Sequence, residues 1–141
     1  MHKSESLIST VHFGFDKDNL FVRIDPKIPF SDFDAGTEIS VFSSGPAQMR
    51  ITCPVRSGLI GAELSEKKGD DWQKAKDLPD AAIQDIFEIG IPFADLKARE
   101  KDALNLSISV RRGGEEIERC PWRGYFTVFV PTADFEAMMW S

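Results

Sequence analysis

Apolar and polar residues alternate on both sides of a turn-forming cluster in residues 1–26, and this pattern constrains the fold more than any other feature. Side chains of a strand repeat with period two, so the first half of the stretch predicts a strand with one apolar face, formed by Leu7, Val11, Phe13 and Phe15. Residues 16–19 (Asp-Lys-Asp-Asn) predict a turn, because Asp and Asn cap their own backbone. The returning strand is expected to end at Pro26, which cannot donate to a ladder. Its apolar face holds Leu20, Val22 and Ile24.

The same alternation recurs along the chain with turn signals about every ten residues, which is typical of an all-β, antiparallel β-sandwich. Further strands are predicted at 37–43, 48–55, 59–64, 81–91 (as one kinked strand or two), 104–110, 116–120 and 125–130. The last of these is apolar on both faces, which predicts a central strand. Residues 65–79 are polar and predict a solvated hairpin tip or loop. At most one or two short helical segments are expected: 93–101 predicts a helical turn, and 133–140 fits a helix or a strand.

Length and charge exclude several classes of protein. The 141 residues predict a single domain over 1–141. A net charge of −6 argues against nonspecific nucleic-acid binding. No apolar run is long enough to span a bilayer, and Met1 is not followed by a signal sequence, so we expect no membrane partner and either a cytoplasmic chain or one cut from a longer protein. Most of the eleven Phe residues are expected in the core.

Cysteine, histidine and carboxylate spacing predicts no metal and no cofactor. Cys53 shares a strand face with Met49 and Ile51, which predicts a buried thiol, and its pairing with Cys120 stays open. A haem would need a placed axial ligand, and the chain has no C-x-x-C-H attachment site. A lone strand histidine such as His12 is more often structural, and the acidic turn residues are expected to be solvated rather than bound to calcium.

Three stretches carry a resemblance to a known family. MHKSESLIST followed by FGFDKDNLFVRID resembles the start of the non-catalytic β-sandwich domain near the C-terminus of family 57 glycoside hydrolases, and IERCPWRGYFTVFVPTADFEAMMW resembles its end. FEIGIPFADLKAREKDALNLSISVRRGG resembles the wider fold group that includes family 9 carbohydrate-binding modules and DOMON domains. The resemblance implies an accessory module whose catalytic domain lies upstream. No carboxylate pair matches a glycosidase motif, so the module itself is not expected to be an enzyme.

Four residues are the candidates for carbohydrate binding. Trp122 could stack on a sugar ring, and Trp72 could be its partner, since modules that resemble this fold can hold a sugar between two Trp side chains. Asn105 and Arg111 could bind hydroxyl groups from the polar face of their strand. The alternatives are that Trp122 plugs one end of the sandwich, that Trp72 anchors a loop, and that the polar face is only hydrated.

Two functions from different classes follow. The first is binding of an α-glucan or a related carbohydrate by aromatic stacking. The second is a structural or interaction domain that packs on the upstream catalytic domain through the His2 segment and residues 138–140, and binds no sugar.

Overall fold

The computed structural model describes residues 6–56 and 58–132. Ten strands and two short 3-10 helices follow one another: β1 (Ile8–Phe15), β2 (Asn19–Pro26), a first helix (Phe30–Asp32), β3 (Thr37–Ser44), β4 (Met49–Pro54), β5 (Gly58–Lys68), β6 (Asp71–Ile83), β7 (Phe87–Pro92), a second helix (Phe93–Leu96), β8 (Ala103–Arg112), β9 (Glu115–Cys120) and β10 (Phe126–Phe129). Every strand pair is antiparallel. The prediction of an all-β sandwich with short helical segments is therefore confirmed.

The strands hydrogen-bond along one path, β1-β2-β7-β6-β5-β4-β3-β8-β10, with β9 also paired to β8. The long hairpin of β5 and β6 belongs to both halves of the path. One end of it pairs with β7 at residues 81–83, and the other end pairs with β4 at residues 63–66. Register shifts within the hairpin, at Ile60/Ala62 and Leu64/Ser65, mark where it bends. The first layer thus contains β1, β2 and β7, and the second contains β4, β3, β8, β9 and β10.

The alternation read from the sequence places the core between the two layers. Buried side chains of the first layer include Leu20, Val22, Ile24, Phe87, Ile89 and Ile91. Those of the second layer include Ile39, Val41, Met49, Ile51, Cys53, Leu104, Leu106, Ile108 and Val110. Both sets belong to one continuous hydrophobic cluster, as a single-domain sandwich requires.

The edges of the two layers meet where β1 approaches β9 and β10. The rings of Phe13 and Phe126 lie 5.2 Å apart, centroid to centroid. The Glu118 carboxylate accepts hydrogen bonds from the Leu7 backbone N–H (2.6 Å), the Ile8 backbone N–H (3.1 Å) and the Ser6 hydroxyl (2.8 Å). A side chain of β9 therefore binds the chain at the start of β1 and closes this side of the sandwich.

Two predictions about strands need correction. Residues 65–79 are not a loop: they form the far end of the β5–β6 hairpin, whose turn is at 69–70. The stretch 125–130 is not a central strand, because β10 lies at the end of the hydrogen-bonded path in the described part of the chain. Tyr125 and Phe129 are exposed accordingly. The kinked stretch 81–91 is two strands.

The Phe side chains divide between the core and the surface. Phe30, Phe87 and Phe93 are buried, and Phe13, Phe33 and Phe126 are partly buried against the same core, whereas Phe15, Phe21 and Phe129 are exposed. Ile8 follows Leu7 and would lie on the opposite face of a regular strand, but it is buried because a register shift between Ile8 and Thr10 changes the face.

The Asp16 turn and the two thiols are as their local sequence indicates. Asp16 Oδ1 accepts from the backbone N–H groups of Asp18 (2.9 Å) and Asn19 (2.7 Å), which caps the turn. Cys53 is buried, as predicted, and both cysteines are free. Cys53 lies on β4 and Cys120 on β9, with β3 and β8 between them, so about 14 Å separates their strands.

No helix within residues 6–56 and 58–132 is long and apolar enough to cross a membrane.

Candidate functional site

A bulged segment interrupts the edge of the second layer and carries Trp122. Cys120 pairs with Ile108 and Phe126 pairs with Leu106, so residues 121–125 all lie opposite Ser107. This segment contains Pro121, after a cis peptide bond, and Gly124 at φ +71°. The chain leaves the ladder here as the Pro and Gly predict, and the Trp122 side chain is 78% exposed. Trp122 does not plug an end of the sandwich.

Arg119 holds this bulge in place. Its guanidinium donates to the Pro121 carbonyl and, at 2.8 Å, to the Gly124 carbonyl. The same guanidinium lies 5.2 Å from the centroid of the Tyr125 ring, within range of a cation–π interaction. The backbone carbonyls that the bulge removes from the ladder therefore gain a charged donor, and the aromatic side chains on the bulge are fixed relative to β8.

The outward face of β10 continues the aromatic surface. Phe126 and Val128 pack against the core, so Tyr125, Thr127 and Phe129 face outward. Tyr125 is 57% exposed and Phe129 is 63% exposed, and four residues of strand place them about 13 Å apart. We call Trp122, Tyr125, Thr127, Phe129 and the adjoining Asn105 the edge platform.

Asn105 belongs to this surface, whereas Arg111 does not. The Asn105 Oδ1 atom accepts a hydrogen bond from the Thr127 hydroxyl at 2.9 Å, which leaves the amide N–H₂ group to act as a donor. Arg111 lies four residues beyond Ser107 on β8, about 13 Å away. Its Nη2 donates to the Gly114 carbonyl at 2.6 Å, so this guanidinium binds the β8–β9 turn.

Trp72, on β6, contacts the cross-strand row that includes Ser107. Ser107 pairs with Phe42 of β3, and Phe42 pairs with Arg50 of β4. The Trp72 ring contacts Phe42 edge to face (6.0 Å between centroids), and the Arg50 guanidinium lies 4.6 Å from its centroid. Trp72 is on a strand hairpin rather than a loop, and Arg50 occupies one face of its ring. In the hydrogen-bonded path, β5, β4, β3 and β8 lie between the strand that carries Trp72 and the bulge that carries Trp122.

Two of the polar side chains on the outer face of the second layer are buried and are not available to a ligand. Ser107 and Ser109 lie on the polar face of β8, but both are buried, and the Ser109 hydroxyl donates to Glu116 at 2.9 Å. Burial and, after it, the nearby Arg111 charge lower the pKa of the Arg50 guanidinium. Asn105 and Thr127 of the edge platform remain accessible. Among the residues that the structure describes, no three His, Cys, Asp or Glu side chains form a group that could hold a metal ion.

Of the four predicted candidates, Trp122 and Asn105 lie on the edge platform, and the side chains around them were not among the candidates. Tyr125 and Phe129 lie in the stretch 125–130, for which a central strand is predicted, and Arg119 lies in the predicted strand 116–120. The interruption at residues 121–124 was the available signal, because a strand that leaves its ladder lies at an edge or a bulge. Compared with known proteins, the chain matches no protein-family model, no curated protein and no solved structure.

Proposed function

We propose that the edge platform binds a neutral glycan, with Trp122 as its main stacking residue. The observation that carries this proposal is the exposure of Trp122, Tyr125 and Phe129, the three most exposed large hydrophobic side chains of the described residues, along one edge of one layer. Aromatic faces bind the apolar face of a sugar ring, and a few polar groups fix its orientation. Asn105 and Thr127 supply such groups between the rings.

The fixed geometry of the bulge favours binding over a merely flexible loop. Arg119 holds the backbone on both sides of Trp122, so less conformational freedom is lost when a ligand binds. The platform presents hydroxyl, amide and aromatic groups, and the guanidinium groups of Arg119 and Arg123 each lie 5.2 Å from the centroid of a platform ring. Arg119 already binds two backbone carbonyls, so the hydroxyl and amide groups are the ones left to bind the hydroxyl groups of a sugar.

The resemblance to the accessory domain of family 57 glycoside hydrolases makes an α-glucan the first ligand to test. In this proposal the chain is a non-catalytic module: it binds the polymer and an upstream catalytic domain hydrolyses it. Turnover of maltoheptaose by the isolated chain would contradict the non-catalytic part of the proposal.

The test is a titration of intrinsic Trp fluorescence with maltoheptaose and soluble starch, checked by calorimetry. We expect a saturable change in the native chain and a loss of affinity of about tenfold or more in Trp122→Ala, equivalent to ~1.4 kcal/mol. Trp122→Phe keeps an aromatic face and is the matched control, so it should retain most of the affinity. Equal affinity in the native chain and Trp122→Ala would refute the site.

A second candidate function is supported by the same exposed edge. The apolar side chains of Ile117, Trp122, Tyr125 and Phe129 could instead contact an upstream catalytic domain, since exposed apolar patches mark interfaces as well as ligand sites. The surface first expected for this role, His2 and residues 138–140, lies outside the described residues. A folded chain that binds none of the glucans but whose Trp122 becomes protected when the parent catalytic domain is added would favour this function.

A further inference from the structure

A cleft of about 630 Å³ lies on the outer face of the first layer, on strands that take no part in the edge platform. It crosses β1, β2 and β7, and its lining includes His12, Gly14, Phe21, Arg23, Glu88 and Gly90. These residues are cross-strand neighbours: His12 pairs with Arg23, Gly14 with Phe21, Phe21 with Gly90, and Arg23 with Glu88.

Phe21 forms an aromatic floor between two glycines. Its side chain is 44% exposed although the residue lies in the middle of β2. The neighbouring positions on both flanking strands are Gly14 and Gly90, so no side chain shields the ring from either side. A Cβ atom at position 90 would lie 3.2 Å from Phe21 Cε1, which shows that the ring leans over Gly90. Glycine weakens a strand interior and often marks a close approach by a ligand or another backbone.

The polar groups beside Phe21 carry both charge signs and are held in place. Arg23 Nε donates to Asp25 Oδ1 at 2.9 Å, and Asp25 Oδ2 accepts from the Thr10 hydroxyl at 2.9 Å. His12 Nε2 lies 3.5 Å from the same Asp25 oxygen. The hydrogen bond to Asp25 fixes the Arg23 side chain on the rim of the cleft, and His12 lies beside the same carboxylate. Glu88 is the exposed acceptor on the opposite strand.

We propose that this cleft is a second carbohydrate site, which takes one sugar residue of a neutral glycan with its apolar face on Phe21. A flat ring at the floor and both donors and acceptors at the rim match a sugar ring, which has an apolar face and hydroxyl groups around its edge. An anion would meet Glu88 and Asp25 as well as Arg23, so the balance of charge favours an uncharged ligand. The site lies on another layer from Trp122, and it does not depend on the edge platform being a binding site.

The direct test is a heteronuclear NMR titration of the full chain with maltoheptaose, cellohexaose and xylohexaose in turn. The backbone amides of Gly14 and Gly90 are the reporters, because both lie at the cleft. We expect at least one glycan to shift both signals in a saturable way. Phe21→Ala should raise the Kd measured at these amides about tenfold. Absence of saturable shifts at both glycines with all three glycans would overturn the proposal.

A blocking variant and its control separate loss of binding from loss of structure. Gly14→Val fills the cleft, and an added Cβ at position 14 meets no atom within 4 Å, so the strand should tolerate it. Gly61→Val makes the same change on β5 at a position that is equally open and outside the lining. Binding at the Gly90 amide should be lost in Gly14→Val and kept in Gly61→Val, while both unfold near the native midpoint.

Trp122→Ala distinguishes this proposal from the edge platform. If both sites exist, Trp122→Ala weakens the binding seen by fluorescence but leaves the Kd measured at the Gly14 and Gly90 amides unchanged. Phe21→Ala raises the Kd measured at these amides and leaves the binding seen by fluorescence unchanged. If the edge platform binds no glycan but the cleft does, the native chain shows the Gly14 and Gly90 shifts and no change in Trp fluorescence. If Trp122→Ala also abolishes the glycine shifts, the cleft does not bind independently and the inference is wrong.

Discussion

The Glu118 carboxylate closes one side of the sandwich, and its removal should destabilise the chain measurably. Glu118 lies on β9, yet its three acceptor contacts reach Ser6, Leu7 and Ile8, more than 100 positions away in sequence. Glu118→Ala removes all three at once. The two backbone N–H groups at the start of β1 then have to find water at a partly buried edge.

The size of the effect follows from the bonds lost. A hydrogen bond to a charged group contributes roughly 1.5–3 kcal/mol, and a neutral one about 1 kcal/mol. Water can replace the carboxylate at the Ser6 hydroxyl, so the two backbone bonds dominate. Because the edge is only partly buried, we take the lower figure for each and expect the free energy of unfolding to fall by about 3 kcal/mol.

Urea denaturation followed by circular dichroism measures this change. Glu115→Ala is the matched control, since it removes the same charge from an exposed position of the same strand and should change stability by less than about 0.5 kcal/mol. Glu118→Gln keeps one acceptor oxygen and should lie between the two. If Glu118→Ala and Glu115→Ala unfold at the same urea concentration, the carboxylate does not hold the edge and the reasoning fails.

Three further predictions follow from individual contacts. Arg119→Ala should lower the free energy of unfolding by about 2 kcal/mol and weaken maltoheptaose binding at the edge platform. Arg123→Ala removes a guanidinium that lies 5.2 Å from the centroid of the exposed Trp122 ring and should preserve stability, so equal unfolding midpoints of the two variants would contradict this. Burial raises the pKa of the Cys53 thiol to about 12 and that of the Cys120 thiol to a smaller extent, so Ellman's reagent at pH 8 should modify Cys120 slowly and Cys53 only after denaturation. Backbone hydrogen bonds from Asp18 and Asn19 lower the pKa of the Asp16 carboxyl from its usual value of 3.8. Its stabilising effect is therefore complete above the unfolded-state pKa and is lost as the pH falls through the folded-state pKa. Asp16→Ala should be less stable than the native chain at neutral pH, and acid titration of the melting temperature should show this difference shrinking as the pH falls below 3.8.

Strand positions and the core could be predicted because they depend on local alternation. Leu20, Val22 and Ile24 are buried as their spacing requires, and so are Leu104 and Leu106. A shift of the strand register by one residue would turn all of these apolar side chains to solvent. The alternation of apolar and polar residues is therefore sufficient to predict which side chains of these strands are buried.

Strand order and edges could not be predicted, because they depend on partners distant in sequence. Tyr125 and Phe129 are apolar, and apolar residues on both faces usually mean a covered strand; only the pairing with β8 shows that this strand is at an edge. The polar run 65–79 is stable as a hairpin because its strands pair with each other and with β4, an interaction that composition does not reveal.

The two tryptophans proposed for the site differ in what they could contribute to binding. Trp72 is partly buried, with Arg50 over one face and Phe42 at its edge, so its ring already has partners. Trp122 is 78% exposed, so most of its apolar area stays in water. Burial of that area would contribute about 25 cal/mol of hydrophobic free energy per Å². Arg119 nevertheless holds the bulge that exposes it. A side chain kept in water by a dedicated anchor is better explained by a ligand or partner surface than by packing, so Trp122→Ala should reduce glycan affinity more than Trp72→Ala, and Trp72→Ala should reduce stability more.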